Sequence, residues 1–147
     1  MEHYYFILRL IICFILSFIV GLERELWGSS AGLRTNIIVC IGAFLFVSAS
    51  FNSYDDDMMR IPAQVISGIG FLGAGAITIN DNKIRGLNTA ATIWVVAAIG
   101  VLTGLKLIFE ACTGAFTIVF TNVFIRQFKK SIFPERYLDD DLWYYVW

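Results

Sequence analysis

The chain has 147 residues, of which 58% are hydrophobic and 16% are charged, and its mean hydropathy is +0.71. A soluble domain has about 25% charged residues, so this chain has too little polar surface to cover itself in water. The composition excludes a soluble globular domain and predicts an integral membrane protein of one domain, and the net charge of −1 indicates no particular partner.

Two apolar runs, at about residues 4–22 and 34–51, predict the first two membrane helices. Arg9 lies inside the first run, so its guanidinium must either extend to the membrane interface or find a partner within the bundle. The run is not followed by a small-x-small cleavage site, which argues against a cleavable signal peptide.

Charged and polar residues flank the short Gly/Ser loop between these two helices. Because the loop returns the chain to the same membrane face, it brings two sets of residues together: Glu23, Arg24, Glu25, Arg34, Thr35 and Asn36. Two alternative ion pairs are expected from these sets, Glu23–Arg34 or Arg24–Glu25. A buried network of this kind would either hold the helices together or bind a polar ligand, and the residues leave both roles open.

The residue types needed for a metal site or a catalytic triad do not converge in the sequence. The polar loop before the third helix contains Asp55–Asp57, but an oxygen cage for a divalent cation needs more ligands than these. Cys13, Cys40 and Cys112 lie in apolar runs without zinc or redox spacing, and we expect them to be packing residues. Since His3 is the only histidine, a His-based triad is excluded, and we predict no enzyme, no metal and no cofactor.

The third predicted helix, within residues 60–79, is apolar but rich in small residues. It carries the glycines Gly68, Gly70, Gly73 and Gly75. Each glycine in a helix is less stable than alanine by roughly 1 kcal/mol, so the four together predict close packing against another helix.

At about 100° per residue, this helix separates into two faces. One face is a small-residue arc, consisting of Ala63, Gln64, Ser67, Gly68, Gly70, Ala74, Gly75 and Thr78, with Phe71 as a bulky exception. The other is a branched arc, consisting of Val65, Ile66, Ile69, Leu72 and Ile77. We expect the small-residue arc to face the bundle and the branched arc to face lipid.

The run Gly68–Gly73 also fits the dinucleotide fingerprint G-x-G-x-x-G. That motif requires a preceding strand, a following helix and an acidic residue about 20 positions later. Here Pro62 opens a helical run, and no Asp or Glu lies between Asp81 and Glu110. The pattern therefore indicates membrane packing rather than nucleotide binding.

Two further helices are predicted after the polar turn at residues 80–87. Helix 4 runs to about Gly104, with Asn88 or Thr89 capping its N-terminus. Helix 5 covers about residues 107–125, and Glu110 near its start is either interfacial or a buried proton-carrying carboxylate. We expect residues 1–125 to form the transmembrane domain and residues 126–147 a short cytoplasmic tail, whose aromatic end lies at the interface or pairs as a strand.

Lysine and arginine are distributed unequally between the two ends of the predicted bundle. Eight fall at one end: Arg24, Arg34, Lys83, Arg85, Arg126, Lys129, Lys130 and Arg136. Two fall at the other end: Arg60 and Lys106. Because cytoplasmic loops carry the excess of positive charge, five spans place the N-terminus outside and the C-terminus in the cytoplasm. The predicted fold class is an all-α membrane protein, a compact bundle of about five transmembrane helices.

Three segments carry a family resemblance through their order and spacing: GLERELWGSSAGLRTN at 21–36, RIPAQVISGIGFLGAGAI at 60–77 and RGLNTAATIWVVAAIG at 85–100. Together they resemble the MgtC/SapB family of bacterial inner-membrane proteins. The resemblance implies these motif positions: Glu23, Arg24, Glu25, Arg34, Thr35, Asn36, Gln64, Gly68, Gly70, Gly73, Gly75, Arg85, Gly86, Thr89 and Thr92. Many members continue into a folded cytoplasmic domain, and this chain is expected to be a short form without it.

The resemblance implies a role in adaptation to low magnesium or acid, or in survival inside host cells. The leading hypothesis is a non-enzymatic, multi-pass protein of the bacterial inner membrane that regulates another membrane protein. The expected partners are the lipid bilayer and other membrane proteins, with the ATP synthase or a second copy of the chain as the candidates. No nucleic acid is expected to bind. The alternative is a small carrier or channel for magnesium or protons. It would use the inward polar set Glu23, Arg34, Asn36, Gln64, Arg85 and Thr92.

Overall fold

The computed structural model describes residues 2–51, 59–80 and 83–132, and these form five helices and one short hairpin. The helices are α1 Glu2–Leu26, α2 Leu33–Ser50, α3 Arg60–Gly75, α4 Leu87–Gly104 and α5 Ile108–Ile132. Between α3 and α4, the strands β1 (Thr78–Asn80) and β2 (Lys83–Arg85) pair antiparallel, with Ile79 opposite Ile84. The predicted all-α bundle is confirmed, with the hairpin at the predicted turn.

Four helices of the described chain, α1, α2, α4 and α5, are long and apolar enough to cross a membrane. With 16 residues, α3 is about 24 Å long, which is shorter than the hydrocarbon core of about 30 Å. The chain is therefore a multi-pass membrane protein. Of the five predicted spans, the third, α3, is a shorter helix than the others. Helix α5 continues past the predicted boundary at residue 125, because no helix-breaking residue occurs before Ile132. The aromatic end of the predicted tail lies outside the described residues.

The helices run alternately up and down, and contacts at both ends of the bundle fix this arrangement. At one end, Arg9 Nη1 near the start of α1 donates to the carbonyl oxygen of Gly104 at 3.1 Å. Of the two alternatives for Arg9, the structure has the bundle partner, which is the end of α4. At the opposite end, the Arg126 guanidinium of α5 lies 4.0 Å from the centroid of the Trp27 ring, just after α1.

The described cations follow the predicted division between the two ends. Near one end lie Arg24, Arg34, Arg85 and Arg126, and near the other lie Arg60 and Lys106. Which end faces the cytoplasm stays a prediction from the excess of positive charge.

The central helix is α4, since 56% of its most apolar window is buried inside the bundle, against 11% for α5. Its most extensive contact is with α2. A Cβ atom at Gly100 would overlap the Cys40 carbonyl oxygen, and one at Gly104 would lie 2.8 Å from Val47 Cβ. Gly100 and Gly104 therefore let the two backbones approach closely, as small-xxx-small motifs do in membranes.

The packing of α3 differs from the prediction. Ile69 is buried and Val65 is half-buried, so part of the branched arc contacts the bundle, whereas Ile66 and Leu72 of the same arc are exposed. Among the residues that the structure describes, a Cβ at Gly68, Gly70 or Gly75 would meet nothing within 4 Å, and a Cβ at Gly73 would lie 3.9 Å from Ala90. The expectation that the small-residue arc faces this chain's own helices is wrong. The groove beside α4 is wide enough for branched side chains, and these fill it better than glycine does.

Hydroxyl groups inside the bundle bond back to their own helices. Ser17 Oγ donates to the Cys13 carbonyl oxygen at 2.8 Å, and Thr103 Oγ1 donates to the Ile99 carbonyl oxygen at 2.7 Å. Because no water competes in the hydrocarbon region, polar groups there must be satisfied internally. These residues are therefore compatible with a membrane-spanning core and need no ligand.

The close contact between α2 and α4 predicts the effect of one added methyl group. We expect Gly100→Ala to lower the free energy of unfolding by about 1–3 kcal/mol, because the methyl group would overlap a backbone carbonyl oxygen. The matched control is Gly42→Ala on α2, where a Cβ meets nothing within 4 Å. Denaturant unfolding in detergent micelles measures both, and equal stabilities for the two variants would contradict this packing.

Candidate functional site

The structure divides most of the predicted polar cluster into three groups: a buried ion pair, residues that fix loops, and residues that line a cavity. The ion pair closes the end of α1. Arg24 donates from Nε to Glu23 Oε2 at 2.6 Å and from Nη2 to the other carboxylate oxygen. Both side chains are only 8% exposed. Asn122 Nδ2 on α5 also donates to Glu23 Oε2, at 3.3 Å, so the pair joins α1 to α5.

Neither predicted ion pair forms among the residues that the structure describes, namely Glu23–Arg34 and Arg24–Glu25. Glu25 lies two residues after Glu23, about 200° around the helix, so its side chain leaves the buried face. Its Oε2 instead accepts a hydrogen bond from the Leu33 N–H at 2.8 Å. A carboxylate at this position satisfies a free backbone donor and interacts favourably with the positive end of the α2 dipole.

Asn36 and Thr89 hold the loop between α1 and α2 in place. Asn36 is fully buried, and its Nδ2 donates to the carbonyl oxygens of Ala31 at 2.8 Å and Gly32 at 2.7 Å. The hydroxyl groups of Ser29 and Thr89 are 3.1 Å apart and share a hydrogen bond between the loop and α4. The loop is therefore fixed to both neighbouring helices.

The start of α4 differs from the prediction. The N-cap residue is Gly86, with φ +84°, and no side chain caps the helix. Thr89 is engaged with the loop, and Asn88 contributes its carbonyl oxygen to Thr92 Oγ1 at 2.9 Å. A Cβ at Gly86 would overlap the Ala76 carbonyl oxygen, so glycine is needed both for this left-handed conformation and for the close approach of α3.

A cavity of about 890 Å³ lies at this end of the bundle, between the α1–α2 loop, α2, the end of α3 and the hairpin. Its polar lining comprises Ser30, Arg34, Thr35, Thr78 and Arg85, and its apolar lining includes Ile38, Val39, Phe71, Leu72 and Ile93. The lining residues that the structure describes include two arginines and no acidic residue. The cavity therefore has a polar part, which includes the two arginines, and an apolar part.

Only part of the predicted site lines this cavity. Arg34, Thr35 and Arg85 do so, whereas Gln64 is exposed on α3 and is absent from the lining. Ile38 and Phe71 line the cavity but were not among the predicted site residues. Phe71 interrupts the small-residue arc of α3, and this interruption was the signal available in the sequence.

Among the described residues, no group of three or more His, Cys, Asp or Glu is placed to hold a metal ion. The run Asp55–Asp57 lies outside the described residues. Cys13 and Cys40 are buried with their Sγ atoms 3.3 Å apart, while Cys112 is exposed, so the three cysteines do not form one site. Glu110 is exposed near the start of α5, as an interfacial carboxylate would be.

The buried ion pair predicts a large effect of removing one partner. We expect Glu23→Ala to lower the free energy of unfolding by about 3–5 kcal/mol, because Arg24 would stay buried without its carboxylate. The double change Glu23→Leu with Arg24→Leu should recover most of this loss, and Glu110→Ala serves as the exposed control. Unfolding in detergent tests the set; a Glu23→Ala variant as stable as the control would show that the pair is not a structural link.

Comparison with known proteins gives consistent results along most of the chain. The sequence pattern of the MgtC family matches residues 10–131. The protein MgtC of Salmonella typhimurium is 42% identical over 127 residues, covering 86% of this chain and 55% of the relative. The protein MgtC of Brucella abortus is 46% identical over 114 residues, covering 77% of this chain and 48% of the relative.

An uncharacterised protein of Synechocystis is 45% identical over 127 residues, covering 86% of this chain and 54% of the relative. The chain thus spans about half the length of the relatives that it matches. No solved structure matches it. The match to the family pattern and the identity to two MgtC proteins cover the helices that build the bundle and the cavity, and the chain belongs to the MgtC family.

Proposed function

We propose that this protein is a non-enzymatic regulator in the bacterial inner membrane, which binds another membrane protein through the small-residue arc of α3. The supporting observation is the outward direction of that arc. Gly68, Gly70 and Gly75 border open space in the described chain, although each glycine lowers helix stability relative to alanine. Residues of this kind become useful when a second helix packs closely against them.

The physical chemistry of the bilayer favours this use of the arc. Lipid tails are as apolar as leucine, so helices associate in membranes through close van der Waals packing rather than through burial from water. Ser67 and Gln64 lie on the same exposed arc and offer hydrogen bonds to a partner helix. Gly68, Gly70 and Gly75 thus remain candidates for packing against another chain, whereas Gly73 lies near Ala90 of α4.

The family membership supports a role in adaptation to low magnesium or acid and in survival inside a host. The partner in this proposal is another membrane protein, with the ATP synthase as the expectation from the family resemblance and a second copy of this chain as the other case. The division into a transmembrane domain at 1–125 and a cytoplasmic tail at 126–147 is part of the same proposal.

Replacing small residues of the arc with leucine should impair the function of the protein without impairing its folding. We expect Ser67→Leu with Gly70→Leu to fold and accumulate normally, because both positions are exposed. The same variant should lose the ability to restore growth in low magnesium to a strain that lacks this protein. The control is Cys112→Leu with Thr121→Leu at two exposed positions of α5, which should restore growth. Full restoration by the α3 variant would contradict a partner at this arc.

A small carrier or channel is the second candidate, because the cavity opens at one end of the bundle. Three observations weigh against transport of Mg²⁺. Glu23 is held in an ion pair with Arg24 and does not line the cavity. The cavity is lined by Arg34, whose charge repels a divalent cation. The described cavity also lies at one end only, whereas transport needs a path across the bilayer.

Flux measurements distinguish the two candidates. We expect purified protein in liposomes to give no uptake of Mg²⁺ or protons above that of empty liposomes. Uptake by the wild-type chain that is lost in Glu23→Gln and retained in Glu110→Gln would support the carrier hypothesis and contradict the regulator hypothesis.

A further inference from the structure

Two cysteine thiols face one another where α1 packs against α2. Cys13 lies near the midpoint of α1 and Cys40 near the midpoint of α2, and their Sγ atoms are 3.3 Å apart. Both side chains are fully buried. Either thiol can donate a hydrogen bond to the other, and Cys40 Sγ also lies 3.9 Å from the Cys13 carbonyl oxygen. The interface between these helices therefore holds a pair of nucleophilic groups that the proposed function does not use.

The two sulfur atoms are already near the separation of a covalent link. A disulfide bond is about 2.05 Å long, so the sulfur atoms must approach one another by little more than about 1 Å. The helices are also in close contact nearer their loop, where a Cβ at Gly21 would lie 3.0 Å from the Leu33 Cα atom. Because this contact fixes how α1 lies against α2, it keeps Cys13 opposite Cys40.

Cys40 also lies where α2 packs against the central helix. Its carbonyl oxygen is the atom that an added Cβ at Gly100 of α4 would overlap, while its thiol contacts Cys13 of α1. A covalent link at Cys40 would therefore fasten α1 to the tightly packed pair of α2 and α4. Such a link acts on an outer helix, since 22% of the most apolar window of α1 is buried, against 56% for α4.

The hydrocarbon region determines which reagents reach these thiols. Glutathione, which keeps cytosolic thiols reduced, is charged and therefore costly to bring into the bilayer. Hydrogen peroxide is small and uncharged, so it enters an apolar region at a lower cost. A single buried thiol is usually inert, but a second thiol in contact with it captures the first oxidation product as a disulfide. The pair is therefore suited to oxidation by a peroxide.

We propose that Cys13 and Cys40 form an oxidation site, which hydrogen peroxide converts into a disulfide between α1 and α2. One thiol attacks a peroxide oxygen atom: an S–O bond forms, the O–O bond breaks, and the thiol proton leaves with the released oxygen as water. The second thiol then attacks the sulfenic acid: an S–S bond forms, the S–O bond breaks, and a second water molecule leaves. The two cysteines lose two electrons, and the peroxide is reduced to two molecules of water. The small-residue arc of α3 takes no part, so this site extends beyond the proposed function.

Thiol counting on the purified full chain, treated with hydrogen peroxide in liposomes and then solubilised, tests the proposal. Before treatment, alkylation of the denatured protein should label all three cysteines. After treatment it should label Cys112 but neither Cys13 nor Cys40, and mass spectrometry of the unreduced digest should show their two peptides joined, with the loss of two hydrogen atoms. Because the link joins residues 27 positions apart, the midpoint temperature of unfolding should rise by about 10 °C.

The matched control moves one thiol by a single position along α1. Cys13→Ser with Phe14→Cys keeps three cysteines, but position 14 lies about 100° further around the helix and its native side chain is 44% exposed. This variant should form no link to Cys40 and show no rise in midpoint temperature. Three free thiols after treatment, sulfinic or sulfonic acid at Cys13 without a link, or equal linking in the control would overturn the proposal. A rise of the same size in Cys40→Ser would also overturn it, because the peroxide would then act elsewhere.

Discussion

The close approach of α2 and α4 is the constraint on which the rest of the bundle depends. In lipid, burial of apolar side chains from water does not drive helices together. Helices therefore associate through close van der Waals packing of complementary surfaces. Gly100 and Gly104 allow this close packing, because they let α4 lie against the Cys40 carbonyl oxygen and the Val47 side chain. Since α4 also contacts α1, α3 and α5, this pair of helices forms the frame against which the others pack.

The polar residues at the end of the bundle with more cations are mostly used to hold that frame. Glu23 and Arg24 neutralise one another between α1 and α5, and Asn36 and Thr89 fix the intervening loop. An ion pair in a membrane domain must be complete, because an unpaired charge there is expensive to desolvate. Glu23 and Arg24 are engaged with one another and do not line the cavity.

Helix α3 is the element whose two faces have different roles. Its branched face fills the groove beside α4, while its small-residue arc is turned outward. The helix is also shorter than a full span, and the hairpin that follows it forms one wall of the cavity. The outward-facing glycines of α3 and the cavity are therefore two separate surfaces of the described chain.

The sequence by itself determined the membrane class, the five helices, the two ends and the family, because these follow from hydropathy, charge and segment order. It also contained Gly100-x-x-x-Gly104, a packing motif that is less conspicuous than the denser glycines of α3. Helical periodicity separated small from branched residues on α3 but could not say which of them contact the bundle, since Ile69 is buried while Leu72 of the same arc is exposed. Only the tertiary structure decided those contacts, the Glu23–Arg24 pairing and the cavity. Each of these depends on how neighbouring helices are placed around the residue, and that placement is not encoded in local spacing.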